Sequence, residues 1–99
     1  MIGLMFREGL GKNECMVIAF PNEGFWDIWM RNMRFPIDVA WVNGSGKVVC
    51  VRERLQPCSS ILGCETYVSE EKAKYVIEFN AGTTKRIRMK KSTKINIGL

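Results

Sequence analysis

The chain predicts a mainly β domain: a small antiparallel barrel or sandwich of about six strands, with two or three short peripheral helices. Three observations carry this. Short apolar runs alternate with turn residues along the whole length, and no stretch keeps the long 3.6-residue period of an amphipathic helix. Asn43-Gly44-Ser45-Gly46 is a strong hairpin signal between two apolar runs. With 99 residues, 46% of them hydrophobic, residues 1–99 make a single domain, large enough for one modest core and too short for a second.

The elements follow in order. Residues 3–10 predict one or two helical turns, stopped by Gly9 and Gly11. Residues 15–20 are a continuous apolar run, read as a buried strand that ends at Pro21-Asn22. Residues 25–33 predict the next strand, with Trp26, Ile28 and Met30 on an apolar face and Asp27 and Arg31 on the other. Residues 37–42 and 47–55 flank the hairpin turn, where Asn and Gly accept positive φ at little cost. Residues 56–68, with Pro57 and Gly63, read as a loop. Ser69-Glu70-Glu71 offers a capping hydroxyl and first-turn acids for a short helical turn. Residues 75–80 alternate as a half-exposed strand, and Asn80-Ala81-Gly82 turns the chain. Gly82-Thr83-Thr84 starts a short helix through about residue 89, and residues 95–97 form the last strand. No internal repeat, linker or low-complexity segment is present.

Absent residues exclude chemistry. The chain has no histidine, which removes Ser-His and Cys-His nucleophiles, imidazole acid–base work and every His-containing metal site. Cys15, Cys50, Cys58 and Cys64 form no Cys-x-x-Cys knuckle, so no metal and no cofactor is expected. Cys50 reads as a small core residue. Cys58 and Cys64 flank a short loop that a disulfide could close, but reduced thiols are the default for the expected cytoplasmic location. No apolar run is long enough to span a bilayer, and Arg7 and Glu8 interrupt the start that a secretion signal would need.

The stretch Trp29-Met30-Arg31-Asn32-Met33-Arg34-Phe35-Pro36-Ile37-Asp38 carries the main functional signal. Large apolar side chains run straight into an amide, guanidinium groups and a carboxylate. Together with Gly3-Leu4-Met5-Phe6-Arg7 before it and Glu78-Phe79-Asn80-Ala81-Gly82 after it, the chain resembles the small β-rich family known as domain of unknown function 192. The usual form there is Phe-Trp-Met-Lys-Asn-Thr, two residues, then Pro-Leu-Asp. Trp29, Met30, Arg31, Asn32, Pro36, Ile37 and Asp38 match it, conservatively at 31 and 37. Met33 replaces the threonine, Cys15 stands where glycine is common, and Ser92-Thr93 replaces a Gly-Asp pair. The resemblance implies a β-rich fold and no assigned activity. Relatives often carry an export signal or lipid anchor, and usually a further strand ahead of the Gly-Leu-Met block. A chain starting at that block is expected to have a bare sheet edge, at which a homodimer could pair.

Candidate ligand-binding residues are Arg7, Trp29, Asn32, Asp38 and Asn80, facing a small polar molecule. Asp38 has two readings. It is either an acid or base, with Asn32, Arg7 or Glu78 as companion, or a brace that accepts hydrogen bonds from local backbone, the reading that weighs more. Arg7 either pairs internally with Asp38 or Glu78 or binds an anion. Trp26, Trp29 and Trp41 suit a sugar-stacking platform or, more simply, the core.

Net charge is +5, and Lys85, Arg86, Arg88, Lys90, Lys91 and Lys94 supply it with no acid among them. The remaining chain is nearly balanced, with nine basic and ten acidic residues. This patch reads as solvated surface or as non-specific nucleic-acid contact through Lys85, Arg86, Arg88, Lys90 and Lys91. No aromatic interleaves with it, so nucleic acid is not the expected partner. The leading functional expectation is a non-catalytic small-ligand-binding or accessory domain. A small enzyme using Asp38 for acid–base chemistry on a polar substrate is the alternative.

Overall fold

Six strands and one short helix make the regular structure, in a computed structural model that describes residues 14–59 and 63–97. In chain order they are β1 (Cys15–Gly24), β2 (Asp27–Trp29), β3 (Ile37–Val42), β4 (Val48–Leu55), β5 (Thr66–Val68), β6 (Ala73–Asn80) and α1 (Thr83–Arg86). β1, β6, β3 and β4 lie side by side in one antiparallel sheet, and β2 and β5 form a separate antiparallel pair. The chain is therefore mainly β and antiparallel. The larger sheet ends at β1 and β4 among the described residues, so no closed barrel forms. Among the described residues, β1 is an edge strand of this sheet.

β3 lies between β6 and β4, and all six of its residues are buried, including Asp38, its one charged member. Directly opposed residues of antiparallel neighbours share a face. The β3–β6 register therefore groups Asp38, Ala40 and Val42 with Phe79, Ile77 and Tyr75 on one face. Ile37, Val39 and Trp41 share the other with Asn80, Glu78 and Val76. That second face holds the larger core, closed by Ile28 and Tyr67 of the β2–β5 pair with Met30 and Met33. The Asp38 face is covered instead by Met89, Ile95 and Ile97 of the C-terminal segment. Trp41 anchors the larger core without stranding its polar atom, because its indole N–H donates to the Trp26 carbonyl at 2.8 Å.

β4 carries an irregularity that matters for the site. Ile37 faces Leu55 and Val39 faces Arg52, so two steps along β3 match three along β4. The surplus residue lies in Glu53-Arg54, as a β-bulge opposite Asp38. Arg54 adopts φ 55 there, a left-handed conformation that costs a non-glycine residue about 1 kcal/mol or more.

Several expected elements differ. The strand expected over 25–33 keeps only three residues, because β5 is equally short and Asn32 turns the chain at φ 63. β5 itself lies inside the stretch read as a loop. Residues 69–71 form a bend, with the Glu71 amide donating to Ser69 Oγ at 3.2 Å, so no helical turn starts there. Residues 95–97 add no strand. The Ile95 amide donates to the Gly46 carbonyl at 2.8 Å, and regular pairing stops at one bridge between Lys47 and Lys94. One short helix is present among the described residues where two or three were expected, and the turns expected over 3–10 lie outside them.

Cys58 and Cys64 are joined by a disulfide, in place of the default reduced pair. The Cys58 amide also donates to the Met30 carbonyl at 3.0 Å, which holds the β4–β5 connection against the end of β2. Cys15 and Cys50 are free thiols, the first exposed and the second buried.

Candidate functional site

Asp38 is fully buried. Its Oδ1 accepts the Arg54 amide at 2.9 Å, and its Oδ2 accepts the Thr84 amide at 2.9 Å and the Thr84 hydroxyl at 2.8 Å. The Gly82 amide donates to it as well. A carboxylate has about four lone-pair positions, and these donors engage them. Burial by itself would raise the Asp38 pKa. The backbone donors of Arg54 and Thr84, the Thr84 hydroxyl and the Gly82 amide outweigh burial and hold it below the ordinary value of 3.8. Asp38 therefore ties β3 to the β4 bulge and to the start of α1. No Asp38 oxygen faces solvent, so a substrate could reach it only by opening the fold.

The backbone of the β6–α1 turn is shaped for this contact. Gly82 has φ 91, a region that glycine enters freely, and its position lies against the Arg54 guanidinium: a Cβ there would meet Nη2 at 3.4 Å. Thr84, fully buried as the second residue of α1, presents amide and hydroxyl to the same oxygen.

The other expected ligand residues lie elsewhere. Asn80 ends β6 on the face opposite Asp38, beside Ile37. Trp29 is 42% exposed, opposite Thr66 on the β2–β5 pair, and the Arg31 guanidinium lies 5.7 Å from its ring centroid. Asn32 is exposed in the following turn. Arg7 lies outside the described residues. Asn80 thus lies on the opposite face of the sheet from Asp38, and Trp29 belongs to the separate β2–β5 pair. Trp26 stacks on Phe20 at a ring separation of 4.2 Å, and with the buried Trp41 it builds structure rather than a platform.

The basic residues do gather around a concavity. On the Asp38 face, α1 and the residues after it border an open cleft of about 530 Å³ against β4. That is the size of a small-molecule site. Lys85, Arg88, Lys90 and Lys91 line it, over a partly apolar floor of Val51, Cys50 and Met89. Arg86 does not line it. Arg88 adopts φ 60, and the reversal lets the Met89 amide donate back to the Thr84 carbonyl at 2.8 Å. Two acids also line the cleft, Glu53 and Glu70. Lys91 Nζ lies 3.3 Å from Glu71 and 3.8 Å from Glu70, both exposed pairs.

Among the described residues no group of three or more His, Cys, Asp or Glu could hold a metal ion, and no helix is long and apolar enough to cross a membrane. Sequence reasoning misses Glu53, Arg54 and Thr84 as members of this region. Thr84 carries a usable signal in its place after Gly82 at a helix start. Glu53 and Arg54 carry none, because a bulge depends on the partner strand.

The fold has solved counterparts. A protein of unknown function from Novosphingobium aromaticivorans superposes with a TM-score of 0.85 at 26% identity, covering 96% of this chain and 65% of that one. A candidate transcription regulator from Sinorhizobium meliloti gives 0.84 at 28% identity, covering 94% and 69%. The chain thus spans about two thirds of the length of these similar proteins. No curated protein matches it. Residues 1–97 match the model of DUF192, described as an uncharacterised ACR, and with the three motif blocks in order over a β-rich fold, the chain belongs to that family.

Proposed function

We propose that the domain is a non-catalytic binding module for a small anionic ligand, seated in the cleft between α1 and β4. One observation carries the reading: Lys85, Arg88, Lys90 and Lys91 border a single small concavity with a partly apolar floor. Cations converging on a low-dielectric wall focus positive potential where a ligand can enter. Arg88 supports it further, since a left-handed arginine is strained and strain persists where position has a use. Nucleic-acid contact through the same residues has less support. The cleft is small, has no aromatic lining for stacking and includes two acids. Acid–base catalysis by Asp38 also has less support, because its lone pairs are already engaged.

Calorimetric titration with inorganic phosphate and pyrophosphate at low salt tests this. Binding that weakens in Lys85→Ala and Arg88→Ala, at unchanged melting temperature, is the expected result. Absence of binding by either anion in the wild type overturns it. A salt-sensitive affinity confined to long oligonucleotides would instead favour nucleic-acid contact.

A further inference from the structure

Within the same cleft one carboxylate stands apart from the cations around it. Glu53 is exposed on β4 and lines the cleft, yet it forms no ion pair among the described residues. Lys85, Arg88 and Lys90 form none either; only Lys91 is engaged, by Glu70 and Glu71. The polar neighbour of Glu53 is the Thr84 hydroxyl, 3.4 Å from Oε2. That hydroxyl has one hydrogen, and the shorter contact of 2.8 Å directs it to Asp38. Glu53 Oε2 therefore takes at most a weak hydrogen bond from Thr84, and as an exposed carboxylate it draws its donors from water. A charged N–H donor on a ligand would replace that water with an ion pair.

Resting on the anion-binding reading, we propose that the ligand is bipolar. Its anionic oxygens, phosphate or carboxylate, sit at Lys85, Arg88 and Lys90. A protonated amine or other N–H donor sits at Glu53, and an apolar body between them covers Val51 and Met89. Unengaged charges of both signs on one small cleft, too far apart to pair with each other, are more fully complemented by such a molecule than by a simple anion, which engages the cations alone.

The test compares matched ligands on the intact protein. Aminohexyl phosphate is set against hexyl phosphate, aminoethyl phosphate against ethyl phosphate, and aminohexanoate against hexanoate, in wild type and Glu53→Gln. The expected result is roughly threefold to fivefold tighter binding of an aminated member, the scale of an exposed ion pair. The advantage disappears in Glu53→Gln, whose melting temperature stays at the wild-type value. A preference in the phosphate or the carboxylate pair supports the proposal and tells which anion is used. Equal binding within every pair overturns the bipolar ligand while leaving the anion site standing. An amine advantage that survives in Glu53→Gln overturns the role of Glu53. Failure of inorganic phosphate and all of these compounds to bind sinks the underlying anion reading instead.

Discussion

Thr84 donates both its amide and its hydroxyl to a single oxygen of Asp38, at 2.9 and 2.8 Å, across a sequence separation of 46 residues. Both side chains are fully buried. The other Asp38 oxygen accepts the amide of the strained Arg54. One carboxylate thus satisfies the donor of a bulge and a donor at a helix start, groups that would otherwise be orphaned.

Asp38→Asn should therefore destabilise the fold by about 3 kcal/mol. The asparagine amide turns one acceptor into a donor, which then faces either the Arg54 or the Thr84 amide. Urea unfolding measures it, and an unchanged midpoint would show that the carboxylate is not the brace described. Thr84→Val, which keeps the amide contact and removes the hydroxyl, should cost about 1–2 kcal/mol.

The pH dependence has a definite sign. Because the folded pKa of Asp38 is held below 3.8, the folded chain binds fewer protons than the unfolded chain in that range. The contribution is fully present above the ordinary carboxylate pKa and is lost as pH falls through the lowered one. Stability should fall from about pH 5 to about pH 2, and the fall should be shallower in Asp38→Asn. Parallel profiles for the two proteins would remove Asp38 as the group responsible.

What is legible in the residues is what they settle locally. At the hairpin, Asn43 Oδ1 accepts the amides of Ser45 and Lys47, each at 3.0 Å, so the turn is written within five residues. β3 is equally plain as a continuous apolar run, whereas β6 alternates like a half-exposed strand and yet has no exposed residue, because it lies between β1 and β3. β5 is not plain, because Thr66–Val68 has no period of its own and becomes a strand only against β2. Ile95 and Ile97 alternate like a strand, but their side chains cap a core while the backbone bonds to Gly46. The site divides the same way. The run of cations is visible in the sequence, whereas the bulge that sets Glu53 and Arg54 opposite Asp38 follows from a register between two strands.

Arg88→Gly should separate stability from binding. Arg88 occupies φ 60 just after α1, where glycine is the relaxed residue. Relief of that strain, less the extra flexibility gained by the unfolded chain, should stabilise the fold by about 0.5 kcal/mol. The same change removes a cleft cation and should weaken phosphate binding several-fold. Arg88→Ala should weaken binding equally without the stability gain. Comparing the unfolding midpoints and phosphate affinities of both variants checks the pair, and a gain in stability from alanine as well would rule out strain as the cause.

Lys91 already has anions beside it. Glu71 lies at 3.3 Å and Glu70 at 3.8 Å, and Glu70 also lines the cleft. All three side chains are about half exposed, so the pairs contribute little to stability, on the order of 0.5 kcal/mol. Their effect on an incoming anion is larger in proportion, because they occupy one cation and lower the potential at the others. Glu70→Gln with Glu71→Gln should therefore raise phosphate affinity about threefold at low salt, with the melting temperature nearly unchanged. The gain should shrink as ionic strength shortens the screening length to less than the width of the cleft. Titrations at low and high salt decide it. If affinity is the same in the double variant at both, Lys91 is no part of the binding surface, and the anion is held by Lys85, Arg88 and Lys90 alone.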